Sequence, residues 1–154
     1  MRPEGKVVLD DLDKRIIEQL QQDGRRPYTQ IAPAVGLSEA AVRQRVQRLI
    51  DAGVMQIVGV TDPKMVGFGR QAMIGLSVEG DTRKIADALA ALDEVVYVVL
   101  TAGSLDLIVE VVVEDDEKLL ELLNNKIRSI DGVRDTETFM YLRIHKETYA
   151  WGAP

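Results

Sequence analysis

Residues 36–53, GLSEAAVRQRVQRLIDAG, carry an apolar and a basic pattern at once. Val42, Val46, Leu49 and Ile50 recur at i, i+4, i+7 and i+8, the spacing of a helix with one buried stripe. Ser38 stands where an N-cap hydroxyl accepts a backbone N–H, and Gly53 closes the segment. At about 100° per residue, the opposite face collects Ala40, Arg43, Gln44, Gln47, Arg48 and Asp51, with Arg45 near the edge of the stripe. A shorter apolar pattern, TQIAPAV (29–35), precedes it across a tight Gly-Leu-Ser turn. Two helices so joined, the second showing polar and basic residues, form the pattern of a helix-turn-helix. Arg and Gln read guanine and adenine edges bidentately, and Arg also holds phosphates. An ordinary amphipathic surface helix would present the same side chains to water, so the preceding helix and the turn are what favour nucleic acid.

Upstream, DDLDKRIIEQLQQ (10–22) places Leu12, Ile16, Ile17 and Leu20 on one helical face, with Asp10, Asp11 and Asp13 at the end where the helix dipole favours anions. Gly24 ends this helix, and Arg25 and Arg26 follow as candidate phosphate contacts. The chain has 154 residues and a net charge of −6, unevenly placed. Residues 1–60 hold nine Lys/Arg against eight Asp/Glu; residues 61–154 hold ten against seventeen. This asymmetry predicts two domains with different partners. There is no cysteine and only one histidine, His145, so thiolate metal sites, Cys nucleophiles and His-rich catalytic constellations are excluded. MRPEGKVVLDD lacks the apolar core of a signal peptide, and no apolar run approaches the roughly 18 residues of a spanning helix. The expectation is a cytoplasmic protein with no membrane partner.

VMQIVGV (54–60) reads as a strand leading out of the helical domain, DPK (62–64) as a turn, and MVGFGRQ (65–71), whose Gly67-x-Gly69 is weak evidence for phosphate binding, as a flexible hinge. From residue 72 the pattern alternates: AMIGLSV strand, TRKIADALAAL helix, VVYVVLTA strand, DLIVEVVV strand, DEKLLELLNNKIRSI helix, ETFMYLRIH strand. VEGDTRKI (78–85) echoes VEDDEKLL (113–120), and LDEV (92–95) echoes IDGV (130–133). Two similar β-α-β halves predict a ferredoxin-like antiparallel sheet with both helices on one face, making the chain α+β. Leu107, Val109, Val111 and Val113 would face the helices, leaving Ile108 and Val112 on a second apolar face that needs another cover, most simply a second copy. On the second helix the stripe is read as Leu119, Leu120, Leu123, Ile127 and Ile130, with Leu122 outside it. The acidic run Glu114–Glu117 opens that helix as cap and dipole partners rather than as a metal site. Trp151, in the tail YAWGAP, is either a disordered end or an anchor on a neighbouring subunit.

Four segments in this order resemble the Lrp/AsnC ("feast/famine") transcriptional regulators of bacteria and archaea: LDDLDKRIIEQLQQDGR, GLS followed by VRQRVQRL, the Gly-x-x-Asp loop of TAGSLDLIVEV, and GVRDTETF. The resemblance covers nearly the whole chain. It implies a winged or plain helix-turn-helix domain (1–53), a strand and hinge linker (54–70) and a ferredoxin-like sensing and oligomerisation domain (71–154), with no cofactor and no enzymatic activity. It also implies homodimers, assembling to a tetramer or octamer, on double-stranded DNA of the nucleoid. DNA contacts would fall on Ser38, Ala40, Arg43, Gln44, Arg45, Gln47 and Arg48, with Arg25 and Arg26. A small effector, expected to be an amino acid, would bind at Ala102, Gly103, Ser104, Leu105 and Asp106. There Gly103 would allow a tight turn and offer N–H groups, while Asp106 would hold an α-ammonium or, as we favour, brace the loop.

Three residues depart from the family pattern. Pro33 falls inside the second helix, where it removes a hydrogen bond; Pro27 replaces the usual Ser or Thr cap; and Leu105 stands where an aromatic residue is frequent. The resulting expectation is a sequence-specific regulator of amino-acid or related metabolism. The competing reading is an architectural protein that wraps DNA with little sequence preference and no effector.

Overall fold

The computed structural model of the chain describes residues 7–154; MRPEGK, the start of the stretch read above for a signal peptide, lies outside the described residues. Contacts divide the chain into two units, residues 7–60 together with 146–154, and residues 61–145.

The first unit holds three helices, α1 (Asp11–Gln22), α2 (Tyr28–Val35) and α3 (Glu39–Asp51). Asp10 and Asp13 form a reciprocal capping box on α1, and the Ser38 hydroxyl caps α3 by accepting the Ala41 N–H at 3.2 Å. Both apolar stripes face inward: Ile16, Leu20, Val42 and Val46 are buried with Ile31, Ala32 and Val35 of α2. Pro27 caps α2 without a side-chain bond, as its sequence implies. Pro33 sits on the exposed side of this eight-residue helix, where the carbonyl its missing N–H leaves unpaired is open to solvent rather than buried in the core. Among the described residues this unit has no strand, which makes it a plain helix-turn-helix.

Residues 54–60, expected as a strand, are not one. A strand exists only against a neighbour's hydrogen-bond ladder, and no strand of the same unit is there to supply it. Val58 and Val60 are accordingly exposed. The last nine residues belong to this helical unit rather than to the sheet. Gly152 donates its N–H to Gln21 Oε1 at 2.9 Å and accepts from Gln21 Nε2 at 3.4 Å, so the chain end is tied to α1 although Trp151 itself is exposed.

The second unit contains β1 (Arg70–Val78), α4 (Thr82–Ala90), β2 (Val95–Leu100), β3 (Leu107–Val113), α5 (Asp116–Glu121, continued by a π-helical turn over Leu122–Ile127) and β4 (Val133–Met140). The sheet is antiparallel in the order β2-β3-β1-β4. The predicted β-α-β-β-α-β order is therefore the observed one. Its last strand begins four residues earlier than read and ends at Met140, which leaves His145 exposed beyond it. The pairing explains the shift: Val133 already lies opposite Val78, so β1 supplies a ladder from that point.

The internal repeat is visible in the hydrogen bonds. Val95 N–H donates to Leu92 O at 3.1 Å as β2 begins, and Val133 N–H to Ile130 O at 3.1 Å as β4 begins. The helices differ by one residue. Asp81 caps α4, whereas the cap of α5 is Asp115, one position before the residue that the repeat matches to Asp81. Each turn of a π-helix also uses more residues than an α-turn, so each residue rotates the face by less. The two effects bury Leu122 with Leu119 and Ile127, and expose Leu120, correcting the sequence reading of both leucines. The acidic run supplies the cap from Asp115, while Asp116 pairs with Arg70 at 2.5 Å.

Leu122→Ala should destabilise the protein by about 2–4 kcal/mol through lost burial and the cavity left behind, and Leu120→Ala by less than about 0.5 kcal/mol. Urea unfolding of the two variants checks the assignment.

Candidate nucleic-acid interface and effector loop

Asp13 lies on the apolar stripe of α1, at i with Ile16, Ile17 and Leu20 at i+3, i+4 and i+7, and its side chain is 1% exposed. Burying a carboxylate is costly unless it is paired and hydrogen-bonded. Here Asp13 Oδ1 accepts from Arg45 Nη1 at 2.8 Å, and Oδ2 accepts from Arg48 Nη2 at 2.5 Å and from the Asp10 N–H at 3.2 Å. Arg45 reaches Asp10 as well, at 2.7 Å. Burial pushes the Asp13 carboxyl up, but Arg48, Arg45 and the Asp10 N–H outweigh it and hold it below the ordinary aspartate value.

This network divides the basic residues of α3 by role. Arg45 is turned inward to α1 with a quarter of its side chain exposed, and Arg48 is anchored at one nitrogen while half its side chain stays open. Ala40, Arg43, Gln44 and Gln47 face solvent, forming with Arg48, Asp51 and Ala52 a shallow concave surface. Arg43 sits over the Tyr28 ring at 5.2 Å from its centroid and meets Glu39 at 3.3 Å. Gln47 donates to Asp51 at 2.7 Å, and Gln44 makes no side-chain hydrogen bond to any described residue. Exposed Arg25 lies just before α2, whereas half-buried Arg26 donates to Gln19. The sequence reading treated Asp13 as a dipole partner and missed its central place. The signal was there, since an aspartate in phase with three buried aliphatics requires a cation.

The 102–106 loop joins β2 to β3. The Thr101 N–H donates to Asp106 O at 2.9 Å, the Asp106 N–H to Leu76 O at 2.9 Å, and Asp106 Oδ2 accepts the Val78 N–H at 2.8 Å. Asp106 thus braces the loop against β1. The Leu105 side chain lies over Gly75, so close that a Cβ there would stand 2.3 Å from Leu105 Cδ1. Gly103 differs from its expected role: its backbone is outside the left-handed region and open space surrounds it, so the turn does not require glycine. Gly103 is exposed, as are Ala102 and Ser104 beside it.

Comparison with known proteins bears on both surfaces. The profile of the AsnC-type helix-turn-helix domain matches residues 9–50, and that of the Lrp/AsnC ligand binding domain matches residues 71–151. The HTH-type transcriptional regulator FL11 of Pyrococcus furiosus is 36% identical over 143 residues, covering 92% of this chain and 94% of its own. E. coli AsnC superposes with a TM-score of 0.81 at 28% identity, covering 92% of this chain and 97% of that one. A transcriptional regulator from Neisseria meningitidis, solved as a complex with L-Met, gives 0.82 at 26% identity, covering 93% and 96%. These similar proteins are regulators, not enzymes.

Asp13→Ala should cost about 2–4 kcal/mol, because it leaves Arg45 and Arg48 without their shared partner. The lowered aspartate pKa also sets a pH window. Its contribution is complete above the unfolded value of about 3.9 and disappears as pH falls through the lower folded value. Urea unfolding between neutral and acid pH should show this loss in the native protein and a flatter profile in Asp13→Asn.

Proposed function

The chain belongs to the Lrp/AsnC family of transcription regulators, and from that premise we propose that it is a sequence-specific DNA-binding regulator of amino-acid or related metabolism, acting in the cytoplasm on the nucleoid. The observation that carries this reading is the solvent-facing row Arg43, Gln44 and Gln47 on a helix held from behind by Asp13. Gln44 is free for a base edge, Arg43 is oriented by Tyr28, and Arg48 has open surface for phosphate. Ser38 and Ala40 bring the start of α3 close to the groove, and Arg25 and Arg26 flank it. Arg45 acts mainly by setting the attitude of α3.

A homodimer would present two copies of α3 to successive major grooves, about 34–36 Å apart, so the site is an imperfect inverted repeat. The dimer forms through the outer sheet face, where Met73, Val99, Ile108 and Phe139 are only partly covered. Dimers assemble further to a tetramer or octamer. The effector is an amino acid held at Ala102, Gly103, Ser104 and Leu105, with Asp106 as the brace; the L-Met complex of the Neisseria regulator supports that class of ligand. Such a ligand changes DNA affinity only through a difference in its binding to two arrangements of the protein.

Selection of bound genomic fragments at about 0.15 M salt, where non-specific phosphate binding is weakened, tests the reading. The native protein should enrich a few fragments sharing an inverted repeat, and Arg43→Ala/Gln44→Ala should lose them. Gln44→Ala alone should cost about 1–3 kcal/mol and relax the preference at one base position. Uniform recovery of fragments would replace this function with the architectural one.

A further inference from the structure

The exposed surface of α3 carries two carboxylates in unlike settings. Glu39 stands in the first turn, where the helix dipole favours an anion, and it meets Arg43 at 3.3 Å. Asp51 is the last helical residue, where the dipole disfavours an anion, and it pairs with no cation among the described residues. It lines the concave surface with Ala40, Arg43, Gln44 and Gln47, so its charge also faces the phosphates of any duplex bound there. An anion placed against both fields needs a compensating use. Asp51 Oδ1 accepts from Gln47 Nε2 at 2.7 Å, and neither residue makes another side-chain hydrogen bond to a described residue.

A glutamine amide has a donor at one end and an acceptor at the other, and a free one can turn over to present either. A carboxylate only accepts, so Asp51 admits the Nε2 end alone and settles which way the Gln47 amide lies. Nε2 keeps a second N–H, and Oε1 has no partner among the described residues. Gln47 therefore offers an acceptor and a donor in one fixed order. In the major groove that order suits adenine, whose N6 amine donates and whose N7 accepts. Gln44, three positions earlier, has no such partner and keeps both orientations.

We propose that Asp51 is a positioning residue for base recognition, fixing the Gln47 amide so that it reads one adenine in each half-site. The inference rests on the reading of α3 as the helix that enters the major groove. Asp51 itself touches no base. Its charge lowers the general attraction for phosphate, and its hydrogen bond raises discrimination at one position.

Selection from random duplexes at about 0.15 M salt with the full-length protein tests this role. The native motif should contain an adenine that Gln47→Ala no longer prefers. Asp51→Ala should lose the preference at that same position and at no other, its discrimination falling from roughly tenfold to below about threefold. The same variant should bind duplexes without the site about twofold more tightly, because an anion has left the surface. Damage to the fold would weaken both kinds of binding, so the opposite signs mark positioning. Asp51→Asn, whose amide can meet either end of Gln47, should relax the position likewise, and Asp51→Glu, which keeps a carboxylate, should retain it. Replacing the adenine by 7-deazaadenine, which lacks the N7 acceptor, should weaken native binding several-fold and leave Asp51→Ala nearly unaffected. The proposal is overturned if Asp51→Ala keeps the adenine preference, changes a different position or binds site-free duplex more weakly, or if 7-deazaadenine does not alter native binding. A native protein that selects no motif would remove the DNA-reading function along with this role, whereas a motif left intact in Asp51→Ala removes the role alone.

Discussion

A buried carboxylate governs the helical unit. Asp13 sits among aliphatic side chains with three donors converging on it, from Arg45, Arg48 and the Asp10 backbone. Losing both arginines would strand the carboxylate in a low-dielectric setting, so α1 and α3 are held by a directional, hydrogen-bonded interaction. Apolar packing alone is less directional, since neighbouring aliphatics can slide while keeping most of their contact. The ion pairs therefore set which face of α3 is presented to solvent. Two of its three arginines face the anchor, and Arg43, Gln44 and Gln47 are what remains outside.

Packing in the sheet unit follows a duplicated β-α-β plan with one deliberate asymmetry. Both halves enter their second strand by the same hydrogen bond, at Leu92–Val95 and Ile130–Val133. The second helix is capped one residue earlier and relaxes through a π turn, which moves its buried face from Leu120 to Leu122. Both helices cover one side of the sheet, where Ile74, Leu76, Val109 and Val111 are fully buried. The other side keeps its aliphatics half-covered, and Leu105 closes over Gly75 at its margin. One face is thus finished within the chain, and the other stays half-covered.

Charge separates along the same division. The helical unit has nearly balanced charge, and the excess of acidic groups lies after residue 60.

Much of this was legible from residue spacing because the relevant interactions are local. Helix periodicity marked α1 and α3, Ser38 announced its cap, the alternating pattern gave the β-α-β-β-α-β element order and the repeat its two halves, and alternation on β3 separated the buried Leu107, Val109, Val111 and Val113 from Ile108 and Val112. Asp106 as a brace was the favoured reading, and its bond to Val78 shows why. Other features needed the folded chain, since they join residues distant in sequence or depend on how a neighbouring element ends. Asp13 finds Arg45 and Arg48 more than thirty positions away, Gln21 meets Gly152 across 131 positions, and VMQIVGV stays unpaired for want of a neighbouring strand. The sequence by itself determined the elements, their order and the polarity of each face. Only tertiary structure decided which charges are consumed internally and which remain available, because a side chain's partners are set by packing in space rather than by its neighbours along the chain.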